Sequence, residues 1–168
     1  QTFLIGGGVK LPTGKFKNAN NGTTLNPSIN TGSGSVDYLA NIIYNCRYKK
    51  VGANTEVSYR KNTTNGKEFK YGDRFVSAIK LFYWKNFGAS TTILPHIGMI
   101  YENAFKDKHY KQLQNFSGGN ITSLTAGVEA YKGKINIGFI FSHPLSQNMF
   151  KGLVVNDNQL SINASFIF

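Results

Sequence analysis

The chain has 168 residues and a formal net charge of +11, from 19 Lys or Arg residues against 8 Asp or Glu residues. Its length is that of one domain, and a single cysteine, Cys46, excludes an internal disulfide framework and a CxxC metal or redox motif. No apolar run approaches the roughly 20 residues of a membrane helix, but a membrane β-barrel hides its apolar residues in alternating strands.

Eight segments alternate apolar and polar residues with the period of a β-strand. They span residues 2–14, 35–50, 52–62, 74–86, 90–107, 121–133, 134–146 and 159–168. Most are at least as long as the roughly 9–11 residues with which a tilted strand crosses a bilayer. Because segments with a helical period are hard to find, the sequence predicts one all-β domain over residues 1–168.

Short and long connections between these segments alternate strictly. KKVG, NFGA and KGK are short, whereas the other four connections are long and polar. In an antiparallel up-and-down sheet, this order places every tight turn at one end and every long loop at the other, as in outer-membrane barrels. We therefore expect a transmembrane antiparallel β-barrel of at least eight strands in a bacterial outer membrane. A soluble β-sandwich with one buried apolar face is the alternative.

Charged residues within the predicted strands fall mostly on the polar face. A Lys or Arg that faces lipid at mid-depth costs roughly 2–4 kcal/mol, so we expect these side chains to line the interior of the barrel. The lumen-lining candidates are Lys10, Asp37, Arg47, Glu56, Arg60, Lys80, His96, Glu102 and Glu129. If the interior serves transport, His96 and Glu102 are the expected pore-lining contacts.

Opposite charges on this face are expected to pair between neighbouring strands, because an unpaired buried charge is costly. Arg47 or Glu56 would pair across the second and third strands. Arg60 or Lys80 would pair with a nearby acid.

The remaining positive charge is concentrated in the predicted loops and turns. These residues include Lys15, Lys17, Lys61, Lys67, Lys70, Arg74, Lys106, Lys108, Lys111 and Lys151. They are spread over every loop without an aromatic and basic platform for bases, so nucleic acid is not an expected partner. Contact with lipopolysaccharide phosphates would explain the distribution, and a solvated rim is the alternative.

The C-terminal segment QLSINASFIF is apolar on one side and ends on an aromatic residue. It resembles the strand by which Gram-negative outer-membrane proteins are recognised by the barrel-assembly machinery. The resemblance implies that Phe166 and Phe168 form the assembly signal.

Nothing in the sequence indicates catalysis. The histidines His96, His109 and His143 lack metal-ligand spacing, and GGGVKLPTGK lacks the spacing of a phosphate-binding loop. We therefore expect neither an enzyme nor a bound cofactor or metal.

Two stretches, GGGVKLPTGKF and LNPSINTGSGSVDYLANIIY, carry a family resemblance. They resemble outer-membrane transporters of Bacteroidetes related to the phenol-degradation meta-pathway barrel, which are similar to the FadL-like hydrocarbon transporters. The matching elements are Lys10–Gly14, Gly32–Ser35, with Ser33 where the family often has Thr, and Phe69–Asp73.

This resemblance implies a porin-like channel or transporter for small molecules, including hydrophobic ones. The alternative is a non-transporting structural or scaffold barrel in a larger cell-envelope complex, with other envelope proteins as partners. Because family members are usually longer, the chain is expected to be either the C-terminal part of a barrel of about a dozen strands or a mature eight-strand barrel. In the first case, the missing N-terminal part would be a further partner.

Overall fold

The computed structural model describes residues 1–14, 16, 19–20, 23–24, 30–88 and 90–166. Its strands are β1 Thr2–Lys10, β2 Ala19–Asn20, β3 Thr23–Thr24, β4 Asp37–Tyr48, β5 Val51–Lys61, β6 Phe69–Lys70, β7 Arg74–Tyr83, β8 Lys85–Phe87, β9 Thr91–Ala104, β10 Lys108–His109, β11 Gln112–Leu113, β12 Gly119–Lys132, β13 Ile135–Met149 and β14 Gln159–Phe166. A short 3-10 helix covers Phe150–Gly152. Within the described ranges, no helix is long and apolar enough to cross a membrane.

Eight long strands form one antiparallel sheet in the order β1-β4-β5-β7-β9-β12-β13-β14, and short β8 pairs with β9. Consecutive long strands are always neighbours, so the predicted all-β, up-and-down antiparallel sheet is confirmed. Two small sheets lie outside it, β11-β10-β6 and β2-β3. Within the described residues, β1 and β14 do not pair with each other, and the sheet is open.

The connections between the long strands alternate in length, as the sequence predicts. Lys49–Lys50 and Gly133–Lys134 are two-residue turns, and residues 84–90, which contain β8, join β7 to β9. Lys49 and Gly133 have positive φ angles of 53° and 57°, which tight hairpin turns require. The long connections are residues 11–36, 62–73, 105–118 and 150–158. The sheet therefore has a turn end and a loop end.

The two faces of the sheet differ sharply in chemistry. Residues that are Cα partners on neighbouring strands lie on the same face, so the register assigns each side chain. We define the apolar face as the face of Ile42, Leu81, Ile97, Phe139 and Ile162, which are all exposed. The polar face is the face of Asn45, Asn54, Lys80, Thr125 and Ser142.

Charge is almost excluded from the apolar face. Among the described residues of the eight long strands, its Lys, Arg, Asp and Glu residues are Lys61 and Lys132, and each is the last residue of its strand. Large apolar side chains on this face are open to the surroundings, and Ile5 is 74% exposed and Leu81 50% exposed. Globular proteins in water rarely expose a contiguous apolar surface of this extent.

Buried residues lie mainly on the polar face and in the loops, and many of them are polar. Among the described residues, the buried hydrophobic side chains are Phe69, Leu94 and Ile121. The buried polar ones are Ser35, Asp37, Asn62, Asn65, His96, Ser117, Thr125 and Asn136. This distribution is the reverse of that in a soluble core.

Candidate functional site: the polar face and its loop-end cleft

The polar face carries all nine residues that the sequence analysis assigns to a lumen. They are Lys10, Asp37, Arg47, Glu56, Arg60, Lys80, His96, Glu102 and Glu129. Side chains alternate between the two faces along a strand, and Cα partners on neighbouring strands lie on the same face. Each of the nine residues lies an even number of positions along its strand from a residue that this register assigns to the polar face. Since the sheet is open, their role in a lumen stays a prediction.

Glu129 forms the centre of a polar cluster toward the turn end. Its carboxylate accepts hydrogen bonds from Lys80 Nζ at 3.1 Å and from the Tyr131 hydroxyl at 2.6 Å. His96 Nε2 lies 3.9 Å from the same carboxylate. Lys80 reaches Glu129 across β9, where its Cα partner is Gly98, a residue without a side chain. The cluster therefore connects three adjacent strands, β7, β9 and β12.

The expected pairing of Arg47 or Glu56 between the second and third predicted strands is wrong. Arg47 lies opposite Gly52, whereas Glu56 lies opposite Ile43, so about 13 Å of strand separates them. The Arg47 guanidinium instead lies 4.5 Å from the centre of the Trp84 ring. Among the described residues, neither Arg47 nor Glu56 has an ion pair within 4 Å.

The second expected pairing is half correct. Lys80 pairs with an acid, Glu129, although across an intervening strand. Arg60 has no ion pair within 4 Å among the described residues. Its Cα partner on the next strand is a second arginine, Arg74, which explains why no acid is directly opposite.

The turn-end part of the polar face, which we call the filled half, is packed by side chains. It contains Phe82, Leu94, His96, Glu129 and Asn136, and the last four are buried or half-buried. Several glycines on this face lie directly opposite a larger residue, and examples are Gly52 opposite Phe82, Gly127 opposite His96, and Gly138 opposite Asn163. The missing glycine side chains provide the space that these larger side chains occupy.

The loop-end part, which we call the open half, contains a cleft of about 1030 Å³. Arg60, Arg74, Val76, Glu102 and Ile121 line it. A second recess of about 410 Å³ shares four of these residues, all except Ile121. Both spaces therefore converge on the same pair of arginines and the same glutamate.

The motifs Lys10–Gly14 and Gly32–Ser35 come together beside this cleft. Asp37 is fully buried and accepts hydrogen bonds from Lys10 Nζ, from the Ser35 hydroxyl at 2.8 Å and from the Thr63 N–H at 3.2 Å. A Cβ on Gly32 would lie 2.4 Å from the carbonyl carbon of Gly14, so the two backbone segments approach as closely as only glycines allow. These motifs thus tie the first long loop to the sheet.

The third motif, Phe69–Asp73, ties the second long loop to the third. Phe69 is buried against the rings of Tyr71 and His109, with centroid distances of 5.0 and 5.8 Å. Gly72 donates its N–H to Asp107 Oδ1 at 2.7 Å, and a Cβ on Gly72 would lie 1.8 Å from the Phe105 carbonyl oxygen. The loops form a cap with its own small sheet, β11-β10-β6.

Two carboxyl groups of this cap have opposite pKa shifts. Burial raises the pKa of Asp107 more than the hydrogen bond from Gly72 lowers it. Burial acts in the same direction on Asp73, but hydrogen bonds from the Asn62 N–H and from Lys70 outweigh it and lower the pKa of Asp73. Asp73 is therefore held as an anion by its partners, whereas Asp107 is disfavoured as an anion.

Sequence reasoning did not identify Arg74 as a site residue and grouped it with the loop cations. The structure makes it the first residue of β7 and places it directly opposite Arg60 on the polar face. Its even separation from Lys80 within the predicted segment 74–86 would have assigned it to the polar face. Lys15 and Lys17, two of the other loop cations, lie outside the described residues.

The expected assembly signal consists of Phe166 and Phe168, and the structure describes Phe166. Phe166 lies on the apolar face opposite Ile135 and is exposed. Phe168 lies outside the described residues.

No family model, curated protein or solved structure matches the chain. The family resemblance carried by the glycine motifs therefore stays a prediction. In the part of the chain that the structure describes, no group of three or more His, Cys, Asp or Glu side chains is arranged to hold a metal ion.

Proposed function

We propose that this protein is a bacterial outer-membrane β-barrel that acts as a channel or transporter for small molecules. The observation that carries the proposal is the apolar face, whose large apolar side chains are mostly exposed and which has Lys or Arg only at strand ends among the described residues. Lipid is the solvent in which such a face is stable. The segregation of long loops at one end supports the same proposal, because outer-membrane barrels have this asymmetry.

Insertion into lipid requires closure of the sheet. Backbone N–H and C=O groups at a free edge have no hydrogen-bonding partner in the bilayer core, and each costs several kcal/mol there. We propose that the free edges of β1 and β14 are paired in the membrane, either with each other or through additional strands. The barrel-assembly machinery would act on the C-terminal strand, and the loop cations would face lipopolysaccharide phosphates.

The open half supports passage or binding of a solute, because its cleft is large enough for a small molecule. The filled half supports the second candidate, a structural or scaffold barrel, because Phe82, His96 and the Glu129 cluster occupy the polar face there. Small barrels commonly have interiors that side chains fill. The two candidates differ in whether ions pass the filled half.

Conductance across a planar lipid bilayer separates the candidates. A channel is expected to give discrete current steps, and Phe82→Ala is expected to enlarge them because Phe82 lies over Gly52 on the polar face. Leu81→Ala is the matched control, since Leu81 is the adjacent residue and lies on the apolar face. No steps in the parent and both variants, despite insertion of folded protein, would rule out the channel and favour the scaffold.

A further inference from the structure

The open half places two positive charges side by side. Arg60 on β5 and Arg74 on β7 are Cα partners, and like charges directly opposite each other on one face destabilise a sheet. Neither can lose its charge, because the guanidinium group stays protonated in proteins. A pair of arginines in this position therefore calls for a negative group between or above them.

The acids of the chain nearest to these arginines are mostly committed to other partners. Asp73, the chain neighbour of Arg74, accepts hydrogen bonds from Asn62 and Lys70. Asp107 accepts the Gly72 N–H, and the charge of Arg74 acts to lower its pKa, but the two side chains form no ion pair within 4 Å among the described residues.

Two further acids near the arginines lie on the polar face itself. Asp37 is held by Lys10 and by backbone and hydroxyl donors of the loops. Glu102 faces the same cleft, diagonal to Arg74, but makes no ion pair within 4 Å among the described residues. Among the described residues, neither guanidinium group therefore has an ion pair with a carboxylate within 4 Å.

A second observation concerns Arg60 alone. Its Nε is buried and has no hydrogen-bonding partner among the described residues. A buried donor without an acceptor costs free energy and needs an explanation, such as a bound ion. The Nε–H and one terminal N–H of a guanidinium form the fork that matches two oxygens of a carboxylate or phosphate.

We propose that Arg60 and Arg74 bind the oxyanion group of a small carboxylate or phosphate in the loop-end cleft. The cleft is about 1030 Å³, and apolar side chains such as Val76 and Ile121 line it beside the arginines. The ligand group sits between the two guanidinium groups and relieves their repulsion. This inference adds the charge of the solute to the proposed function. It rests on that function for the route by which the solute enters from the loop end.

The oxyanion has two possible sources, a free solute or the phosphate of a lipopolysaccharide molecule at the rim. Isothermal titration of the full chain in detergent micelles at low salt, with inorganic phosphate, succinate and purified lipopolysaccharide in separate arms, distinguishes them. We expect saturable binding of phosphate or succinate, and we expect Arg60→Gln and Arg74→Gln each to weaken it by about tenfold or more. Arg60→Lys should also weaken it, because an ammonium lacks the planar fork.

Arg47→Gln is the matched control, since Arg47 lies on the same face but at the turn end, over Trp84. Its binding should equal that of the parent protein. Heat-dependent migration on a gel identifies folded protein. If one of the three substitutions at Arg60 and Arg74 prevents folding, the remaining variants still test the site. The proposal is overturned if folded parent protein binds neither phosphate nor succinate at about 10 mM, or if Arg60→Gln and Arg74→Gln both bind as tightly as the parent protein. Binding of lipopolysaccharide but of neither small anion would overturn the proposal of a small-solute site and assign the arginines to the lipid at the rim.

Binding in micelles needs no current, so the two proposals fail separately. Binding without conductance would refute transport only. Conductance without binding would refute the oxyanion site only.

Discussion

The filled half and the open half of the polar face have the same strands and the same alternation, yet one is packed and the other holds a cleft. In the filled half, glycines lie opposite large residues and the buried charges are paired, as Lys80 is with Glu129. In the open half, like charges lie opposite each other, as Arg60 and Arg74 do. The difference shows that alternation along a strand assigns a side chain to a face. Which residues lie opposite each other on neighbouring strands then decides whether that part of the face is packed.

The largest expected effect comes from removing the centre of the filled half. Glu129→Ala leaves Lys80 Nζ and the Tyr131 hydroxyl without their acceptor, and we expect it to lower the free energy of unfolding by about 2–3 kcal/mol. This is below the cost of breaking a fully buried pair, because the Lys80 side chain is 37% exposed. Denaturant unfolding in lipid vesicles measures the loss.

Glu102→Ala is the control in the open half, and we expect it to cost less than about 1 kcal/mol because Glu102 has no ion pair within 4 Å among the described residues. The double variant Lys80→Met/Glu129→Ala should be more stable than Glu129→Ala alone, since it leaves no unpaired ammonium. Equal losses for Glu129→Ala and Glu102→Ala would contradict the distinction between the halves.

An intermediate effect is expected from adding one methyl group to the filled half. A Cβ on Gly127 would lie 2.4 Å from the Phe139 carbonyl oxygen and 2.6 Å from His96 Cε1, so Gly127→Ala should destabilise by about 1–2 kcal/mol. A Cβ on Gly8 would lie 3.7 Å from Leu39 Cδ1, which is an ordinary contact. Gly8→Ala should therefore leave stability unchanged or raise it slightly. If the two variants unfold at the same denaturant concentration as each other, the filled half is not closely packed.

The sheet and its faces could be predicted from the sequence because both follow from local alternation. The eight predicted segments correspond to the eight long strands, although the first strand ends at Lys10 and not at residue 14, and the fourth ends at Tyr83 before a separate short strand, Lys85–Phe87. Alternation also assigned Lys80 and Glu129 to the same face. It could not predict that they meet, because contact across β9 depends on register and on the absence of a side chain at Gly98.

The open half was harder to predict because its residues come from strand ends and loops. The predicted fourth segment begins at Arg74, as the strand does, but the sequence analysis grouped this residue with the loop cations and so did not assign its side chain to the polar face. The contacts of Gly72 with Phe105 and Asp107 join two loops far apart in sequence. No short-range pattern encodes such contacts.

The smallest expected effect concerns two carboxyl groups of the loop cap, which should respond to pH in opposite directions. The pKa of Asp73 is lowered, so its charge contributes stability above the pKa of the unfolded chain, and this contribution is lost as the pH falls through the folded value. Asp73→Asn should therefore cost about 1 kcal/mol near pH 7 and progressively less in acid.

The pKa of Asp107 is raised by burial, so its contribution is present in acid and is lost as the pH rises through the folded value. Asp107→Asn, which keeps an oxygen to accept the Gly72 N–H, should cost little or nothing near neutral pH and relatively more in acid. Denaturant unfolding of the parent and both variants across the acidic pH range measures the difference in the free energy of unfolding that each substitution causes. If the differences for Asp73→Asn and Asp107→Asn both shrink as the pH falls, the cap does not hold Asp107 as the structure describes.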